Sequence, residues 1–406
     1  MKKLIMSLAV CLLAVCMPQI VHAQEKNYVT INASGSNLTE KIQEALDDNT
    51  VITVPKGTYK MQDTIKLNGQ ENVTIDFSGS KVSGTTFFTF YSGKNITIKG
   101  GVFTGKKTSY GVKIYGGQNI TLSSMTIEKC DNAIRAWDGT FNLKSVVVKK
   151  SYHVGMSIYG SKTTCTITKG KFNSNGTRPD KTENAPDSHA AGIGVFEGAT
   201  LVAKNVTISS NHGSGIVLDG RTGSKKPTAK IYGCAVKSNG DHGIAANPKG
   251  VVIIGKTGSG KSAKYTVVEK NKTDGVMLMN GSQGKTISYL KSQKNGRDGL
   301  AVSYNSTCKE ISNCIISGNK RNGLILFDKG VVNTIQKCEI SNNQWVGLAL
   351  VDKSTVKKLQ NNTIKKNKVA GVQLSNGSKV NAGKKNTVKG NATNYLIDST
   401  CKYKAK

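Results

Sequence analysis

The sequence predicts an all-β protein built as a single-stranded parallel solenoid, with a short helix capping its N-terminal end. A unit of the form Asn-x-x-x-Gly-(Ile/Leu/Val)-x-Leu recurs with a period of about 24 residues. Glycine is abundant, with 44 residues, proline is scarce, with 6, and helix-length amphipathic runs are almost absent. A fixed period of this size with short alternating segments is typical of repeats that stack along one axis.

The repeat is most regular in the C-terminal half of the sequence. The turn glycines of successive units are Gly275, Gly299, Gly323, Gly347 and Gly371. An asparagine lies four places before each of them: Asn271, Asn295, Asn319, Asn343 and Asn367. Between the turns, Ile335 and Ile340 align with Ile311 and Ile316 one period earlier, as the inward stripe of short strands would. Because like residues would stack at the strand spacing of about 4.8 Å, we expect the asparagines to form a hydrogen-bonded ladder.

The N-terminal part of the sequence divides into a leader and a cap. Lys2 and Lys3, an apolar run and a small-residue site ending at Ala23 form a secretory signal peptide over residues 1–23. Asn37-Leu38-Thr39-Glu40 has the pattern of a capping box at the start of a helix. We expect this helix and the first coils to occupy residues 24–109 and the regular coils to occupy residues 110–406.

The charge balance of the chain is strongly basic. Its 57 basic and 25 acidic residues give a formal net charge of +32. Together with the leader, this charge favours a secreted protein whose partner is an acidic polysaccharide or another cell-wall polyanion. A basic surface that is merely solvated is the alternative. The sequence contains no recognised nucleic-acid-binding module, and after the leader no segment is apolar enough to span a membrane.

Two further patterns have structural interpretations. The nine cysteines include two in the leader, so an odd number remains and the chain cannot pair all of them internally. Cys314 and Cys338 would stack on adjacent coils, as free thiols rather than as a disulfide. The segment 255–262 matches a phosphate-binding loop, but the residues that follow it are typical of a strand instead of the required helix. We therefore interpret it as a glycine-rich loop between strands.

The Asn-x-x-x-Gly repeat resembles that of the right-handed parallel β-helix superfamily, over roughly residues 110–395. Polygalacturonases, pectate lyases and alginate epimerases belong to this superfamily. The resemblance implies a right-handed parallel β-helix and an extracellular polysaccharide as the substrate or ligand, without selecting one activity.

Acidic and histidine side chains precede the repeat glycines in consecutive units. Asp241, His242, Asp274 and Asp298 would lie on one edge of the solenoid in three successive coils. Carboxylates on adjacent or alternate coils would be about 5 or about 10 Å apart, which brackets the separations in retaining and inverting glycosidases. We interpret these four residues as a catalytic acid/base set, although Asp-Gly is also a common turn sequence.

This placement is similar to that of the polygalacturonases. His242-Gly243 resembles their Gly-His-Gly element, and Thr273-Asp274-Gly275 resembles their Asn-Thr-Asp-Gly element. The chain departs from the family in the order of these elements, in having Asp241 in place of a glycine, and in lacking both an Asp-Asp pair and Arg-Ile-Lys. The resemblance implies a glycoside hydrolase. A lyase or epimerase, and a non-catalytic surface protein that binds anionic glycans, stay open.

The same edge supplies candidate substrate-binding residues. Histidines recur just before repeat glycines, and basic or aromatic side chains that could hold sugar carboxylates or stack on sugar rings follow the acidic row: His153, His189, His212, Arg297, Lys320, Arg321 and Trp345. A polar insert over residues 176–191 interrupts the period beside them and is a place where function could be grafted. We predict no metal site and no cofactor, with calcium as the alternative.

Overall fold

The computed structural model of the protein describes residues 25–177 and 190–405. The predicted leader and most of the 176–191 insert lie outside the described residues. The described strands form three parallel sheets, named A, B and C, with 16, 14 and 14 strands. Each strand pairs with its equivalent one coil earlier and one coil later, so each coil contributes one strand to each sheet in the regular part of the solenoid.

The strands of the three sheets have the following bounds. Sheet A consists of Asn27–Thr30, Thr50–Thr53, Thr74–Asp76, Thr97–Lys99, Ile120–Ser123, Thr140–Lys144, Thr164–Thr168, Thr200–Lys204, Thr228–Tyr232, Val251–Gly255, Gln283–Ser288, Thr307–Ser312, Val331–Gln336, Thr355–Gln360, Lys379–Lys384 and Lys402–Ala405. Sheet B consists of Thr58–Lys60, Lys81–Ser83, Val102–Thr104, Thr126–Glu128, Val147–Lys149, Lys171–Asn173, Thr207–Ser209, Ala235–Lys237, Thr266–Glu269, Leu290–Gln293, Ile315–Ser317, Glu339–Ser341, Thr363–Lys365 and Thr387–Lys389. Sheet C consists of Ile65–Leu67, Phe88–Phe90, Tyr110–Ile114, Asn132–Trp137, Met156–Tyr159, Ile193–Phe196, Ile216–Asp219, Ile244–Ala246, Val276–Leu278, Leu300–Ser303, Leu324–Phe327, Val346–Leu350, Ala370–Leu374 and Thr393–Ile397.

The core is a set of apolar columns that run inside the solenoid, parallel to its axis. Ile287, Ile311 and Ile335 pair in register on successive strands of sheet A, and all three are fully buried. Neighbouring side chains on each strand alternate between this interior and the outer surface, as the pleat requires. The predicted parallel solenoid is confirmed.

The asparagine ladder is also confirmed, and it extends beyond the coils that have the regular 24-residue period. The side-chain amide of Asn271 donates to Oδ1 of Asn295 at 3.0 Å, and the Asn271 backbone N–H donates to the same oxygen at 3.1 Å. The same side-chain bond links every successive pair from the first member to the last: Asn175, Asn211, Asn239, Asn271, Asn295, Asn319, Asn343, Asn367 and Asn391. The ladder fixes the turn that precedes each strand of sheet C.

The N-terminal helix comprises Leu38–Glu44 and packs Leu38 and Ile42 into the core. The predicted capping box is wrong, because the side chain of Asn37 makes no capping hydrogen bond to the helix. Its Oδ1 instead accepts a hydrogen bond from the backbone N–H of Ser34 at 2.8 Å. Asn37 therefore stabilises the turn before the helix, and helix position is set by packing of its apolar face.

The glycine-rich segment after Val251–Gly255 is a loop, as predicted. Thr257 and Lys264 form an antiparallel bridge around a short 3₁₀ turn, Gly260–Ser262, and the chain then enters the strand Thr266–Glu269. No α-helix follows this segment in the described structure, so it lacks the helix N-terminus that a phosphate-binding loop uses.

The seven cysteines among the described residues are all free, and six are buried. The prediction of free thiols at Cys314 and Cys338 is confirmed. Burial raises the pKa of the Cys165 thiol well above its usual range, so this thiol is a packing group rather than a nucleophile. Within residues 25–177 and 190–405, every helix is too short or too polar to cross a membrane.

Candidate functional site

The turns that precede sheet C carry the predicted acids and histidine in two columns. The inner column consists of the residues directly before the repeat glycines: Ser214, His242, Asp274, Asp298, Asn322 and Val346. The outer column consists of the residues one place earlier: Gly213, Asp241, Thr273, Arg297, Arg321 and Trp345. Backbone hydrogen bonds join successive coils along both columns. Neighbours within a column are therefore about one strand spacing, or about 4.8 Å, apart.

His242 is held by a buried carboxylate from the next coil. Its Nδ1 lies 3.2 Å from Oδ2 of Asp274 and 2.9 Å from Oγ1 of Thr273. The side chain of Asp274 is 1% exposed and that of His242 is 14% exposed. Oδ2 of Asp274 makes no well-aligned hydrogen bond with any donor among the described residues, so it acts on Nδ1 chiefly as a buried negative charge. These acceptors favour a proton on Nδ1, which leaves Nε2 to exchange a proton with a ligand.

Asp241 completes this network on the outer column. Its Oδ1 accepts a hydrogen bond from the Thr273 hydroxyl at 2.9 Å, and its Oδ2 accepts one from the Ser214 hydroxyl at 3.0 Å. Because the single proton of the Thr273 hydroxyl is used there, its oxygen acts as an acceptor toward His242. Nε2 of His242 lies 3.6 Å from Oδ1 of Asp241, whose side chain is 20% exposed.

Asp298 extends the inner column as part of a hydrogen-bonded stack. Its backbone N–H donates to Oδ1 of Asp274 at 2.9 Å. Its own Oδ1 accepts hydrogen bonds from the backbone N–H and the side-chain amide of Asn322, at 2.8 and 2.9 Å. Asp298 is 3% exposed, so its carboxylate faces the turn of the following coil rather than solvent.

The pKa values of this cluster are shifted by burial and by mutual charge. Burial acts to lower the pKa of His242, but the contact with Asp274 and the charges of Asp241 and Asp274 outweigh it, so the pKa is raised above the usual value for a histidine. Burial acts to raise the pKa of Asp274, but the bond to His242 and the charges around it keep that pKa below its usual range. Burial, followed by the charge of Asp274, raises the pKa of Asp298. The pair of His242 and Asp274 is therefore an ion pair at mildly acidic pH.

A cavity of about 300 Å³ lies beside this network on the outer face of sheet C. Asp241, His242 and Ser214 form one wall, and residues that point outward from sheet C form its floor, among them Val217 and Ala245. The accessible polar groups of the network thus face a space large enough for a small polar group or part of a sugar ring. Asp274 and Asp298 do not line this cavity.

The predicted substrate-binding residues continue along the columns beyond the cavity. Nε of Arg297 lies 4.0 Å from Oδ1 of Asp274, and 46% of the Arg297 side chain is exposed. The guanidinium carbon of Arg321 lies 5.1 Å from the centre of the Trp345 ring, a cation–π contact, and Trp345 is 51% exposed. Lys320 is exposed next to Arg321. Arg297 is the basic residue of this group that reaches the His242 network.

The other histidines do not converge on His242. Nδ1 of His153 lies 2.7 Å from Oδ1 of Asp131. The turn that contains His153 lies three coils before the turn of His242, or about 14 Å along the axis. His212 is exposed, one coil before His242 and one place before the outer column. His189 lies outside the described residues. Among residues 25–177 and 190–405, no three or more His, Cys, Asp or Glu side chains are grouped to hold a metal ion.

Thr273 and Ser214 are the members of the network that sequence reasoning did not select as functional. Both are ordinary turn residues in sequence, and their importance comes from hydrogen bonds to Asp241 across coils. The signal that could have found them is their place in the two columns, since each hydroxyl lies one coil away from Asp241 and within reach of its carboxylate.

The similarities to known proteins concern the fold. A family profile described as "Right handed beta helix region" matches residues 250–404, and no curated protein matches the chain in sequence. Among solved structures, the A-module of a mannuronan C-5 epimerase from Azotobacter vinelandii has a TM-score of 0.46 and 12% identity over 93% of this chain and 99% of that module. A periplasmic alginate epimerase has a TM-score of 0.48 and 13% identity over 94% of this chain and 82% of its own. A pectate lyase has a TM-score of 0.41 and 15% identity over 93% of this chain and 78% of its own. Similarity at this level carries no information about the reaction.

Proposed function

We propose that this parallel β-solenoid, whose residues 250–404 match the right-handed β-helix profile, is a secreted protein that acts on an acidic polysaccharide. In this proposal His242 exchanges a proton with the sugar. One observation carries it, namely the buried Asp274 carboxylate that contacts His242 beside the cavity on sheet C. Export rests on the predicted signal peptide, and the acidic substrate rests on the net charge of +32.

The arrangement suits removal of a proton from the carbon next to a sugar carboxylate. Neutral His242 takes that proton through Nε2, and the C–H electron pair moves into the carboxylate to form an enediolate. In a lyase this pair then forms a C=C bond as the neighbouring glycosidic oxygen leaves and takes up a proton from solvent. In an epimerase the carbon takes up a proton from solvent on its opposite face. In this proposal Arg297, whose Nε lies 4.0 Å from Oδ1 of Asp274, neutralises the carboxylate while its charge grows.

Hydrolysis by paired carboxylates fits the burial of the acids less well. Both glycosidase mechanisms need two carboxyl groups that flank the scissile bond. Asp274 and Asp298 are almost inaccessible, and only Asp241 among the predicted acids faces the cavity. The hydrolase predicted from sequence therefore ranks behind proton abstraction.

Binding without catalysis is the second candidate function, and a different observation favours it. The 57 basic residues are distributed along the whole chain, which would attract a polyanion to much of the surface. Such binding would be weakened by salt, because exposed charges are screened within about 8 Å at physiological ionic strength.

A panel of acidic polysaccharides, assayed with three readouts, tests the reaction class. A lyase produces unsaturated uronate absorbance, and it also produces reducing ends. An epimerase produces neither signal but incorporates solvent deuterium next to the carboxylate. A hydrolase produces reducing ends alone. The proposal expects one of the first two patterns and its loss in His242→Ala. Reducing ends alone would indicate hydrolysis instead. If none of the three signals appears but the protein binds the polysaccharides in a salt-sensitive way, the non-catalytic binding function is supported.

A further inference from the structure

Five aromatic rings stack in one row on the outer face of sheet C. The members, in order along the axis, are Tyr91, Tyr115, Trp137, Tyr159 and Phe196. Successive ring centres are 4.9 to 5.7 Å apart, and successive planes differ by 6° to 22°. We call this set the aromatic row. Tyr91 and Tyr115 are 49% and 42% exposed, so the row is a continuous apolar strip at the surface.

The fold does not require this row. Each ring occupies the same position in its coil. Trp137 pairs with Tyr159, and the pairings of the residues directly before the other rings place those rings in the same register: Phe90 with Ile114, Ile114 with Ala136, and Ile158 with Val195. In later coils that position is taken by Met279 and Ser303 and then by a single ring, Phe327, and those coils pair in the same parallel register. Coil stacking is therefore maintained without rings.

Basic and unpaired polar groups lie beside the aromatic row. The guanidinium carbon of Arg135 lies 4.5 Å from the centre of the Trp137 ring and 5.2 Å from that of Tyr159. One terminal nitrogen of Arg135 donates to the Tyr110 hydroxyl at 2.7 Å. Its Nε and the hydroxyl of Ser157, a cross-strand neighbour that is 2% exposed, have no hydrogen-bond partner among the described residues. Buried polar atoms of this kind are costly unless something else binds them.

The aromatic row leads directly to the cavity beside His242. Beyond Phe196 the same outward position is occupied by Asp219, then by Asn247 and Met279. Asn247 and Met279 line the cavity, and so does Arg221, which neutralises Asp219 through an ion pair. The row and the catalytic candidates are thus parts of one surface that runs along the solenoid.

We propose that the aromatic row binds a segment of an acidic polysaccharide, running along the solenoid axis toward the cavity. This rests on the proposed function for the identity of the ligand. The apolar C–H faces of sugar rings would pack on the strip, and Arg135 would bind a carboxylate. Single-stranded nucleic acid fits less well, because a base inserted between two rings needs roughly 7 Å, twice the contact distance of about 3.5 Å. The rings are too close for that.

The fluorescence of Trp137 tests this directly. The chain has two tryptophans, so Trp345→Phe leaves Trp137 as the single reporter, and the additional change His242→Ala prevents turnover. We expect a saturable change in emission with at least one of polygalacturonate, alginate, hyaluronan and heparin, and none with neutral dextran or oligodeoxythymidylate. Silence with all four acidic polysaccharides, or a response to the oligonucleotide alone, would overturn the proposal.

Loss of one ring provides the second test, with a matched control on the same sheet. Tyr115 and Tyr304 are 42% and 41% exposed, but Tyr304 lies outside the aromatic row. In the His242→Ala background, Tyr115→Ala is expected to weaken binding of the responding polysaccharide by about tenfold, or about 1.4 kcal/mol, and Tyr304→Ala by less than about twofold. Equal effects of the two changes would mean that the row only stabilises the fold.

The failures of the two proposals are distinguishable. A saturable Trp137 response from a protein without activity on any substrate would support polysaccharide binding by the aromatic row and reject catalysis at His242. Activity that depends on His242, with no Trp137 response to its own substrate, would retain the catalytic site and reject the row.

Discussion

Two pairs of aspartate and histidine lie on the same edge of the solenoid and differ in their surroundings. Asp131 and His153 are 2.7 Å apart and comparably exposed, with 20% and 24% of their side chains accessible. Asp274 and His242 are 3.2 Å apart, but the aspartate is 1% exposed. In the second pair, Thr273 accepts a hydrogen bond from His242 and donates one to Asp241, and a cavity adjoins this network.

The difference shows that proximity of the two side chains is not enough to assign a function. Water and salt screen the electrostatic attraction between the two side chains of an exposed pair. A carboxylate that is buried away from solvent interacts more strongly with the imidazole beside it. The buried pair raises the pKa of His242 and holds its ring in one orientation. It therefore meets the requirements for proton transfer, and the pair at His153 serves as an internal control.

The largest expected effect is on turnover when each histidine is removed. His242→Ala should lower the rate on the responding substrate by about 10² to 10⁴, the usual contribution of a general acid or base. His153→Ala should keep the rate within about threefold. We would measure the rates of both variants on the same substrate preparation, and matching circular dichroism spectra would show that both variants are folded. Equal losses would assign both pairs to the structure of the turns.

A smaller but still large effect is expected from the two aspartates. Asp274→Asn keeps the size of the side chain but removes the charge that orients His242, so the rate should fall by about 10². Asp131→Asn should leave the rate nearly unchanged, because its partner lies about 14 Å from His242. Measurement of kcat for both variants decides whether the buried carboxylate matters. An unaffected kcat in Asp274→Asn would remove it from the mechanism.

A moderate effect is expected from the hydroxyl that joins Asp241 to His242. Thr273→Ala removes one hydrogen bond to a charged group, and a loss of about tenfold in kcat follows from about 1.5 kcal/mol. Thr273→Ser keeps the hydroxyl and should restore most of the rate. If Thr273→Ser is as slow as Thr273→Ala, packing of the methyl group, rather than the hydroxyl, is what the site needs.

The smallest effect is expected from the exposed arginine next to the pair. Arg297→Gln should raise KM several-fold at low salt, because it removes one positive charge that would bind a substrate carboxylate. The effect should shrink at high salt, where exposed charges are screened. Lys353→Gln, at an exposed lysine in a different turn of the solenoid, provides the control. The same change of KM in both variants would indicate only a general charge effect.

Much of the fold could be predicted from the sequence, because each repeat places the same types of residue at the same positions of a coil. A fixed step places each asparagine above the previous one, so Asn271 and Asn295 could be paired before the structure was known. The same step brings the turns of His242 and Asp274 together. The aromatic row was not predicted, because it lies in the N-terminal coils, where the steps between Tyr115, Trp137 and Phe196 are unequal and hide the alignment.

Burial within the site could not be predicted from sequence for a different reason. Asp274 and Asp298 precede glycines in the same way, and both looked like accessible acids. Their exposure depends on which neighbour supplies hydrogen bonds, and the amide of Asn322 turns Asp298 toward the following coil. The capping box at Asn37 failed similarly, since a competing bond from Ser34 was not visible in the pattern.

The pH dependence of the rate tests the central claim most directly, when it is measured beside the NMR titration of His242. A base must be neutral, so activity should rise with pH through the His242 pKa, with the same midpoint in both measurements, above the usual value for a histidine. In Asp274→Asn the bond and the charge that raise this pKa are lost and burial remains, so both midpoints should move down together. A rate midpoint that stays in place while the NMR midpoint of His242 moves would contradict the assignment of His242 as the proton-transfer group.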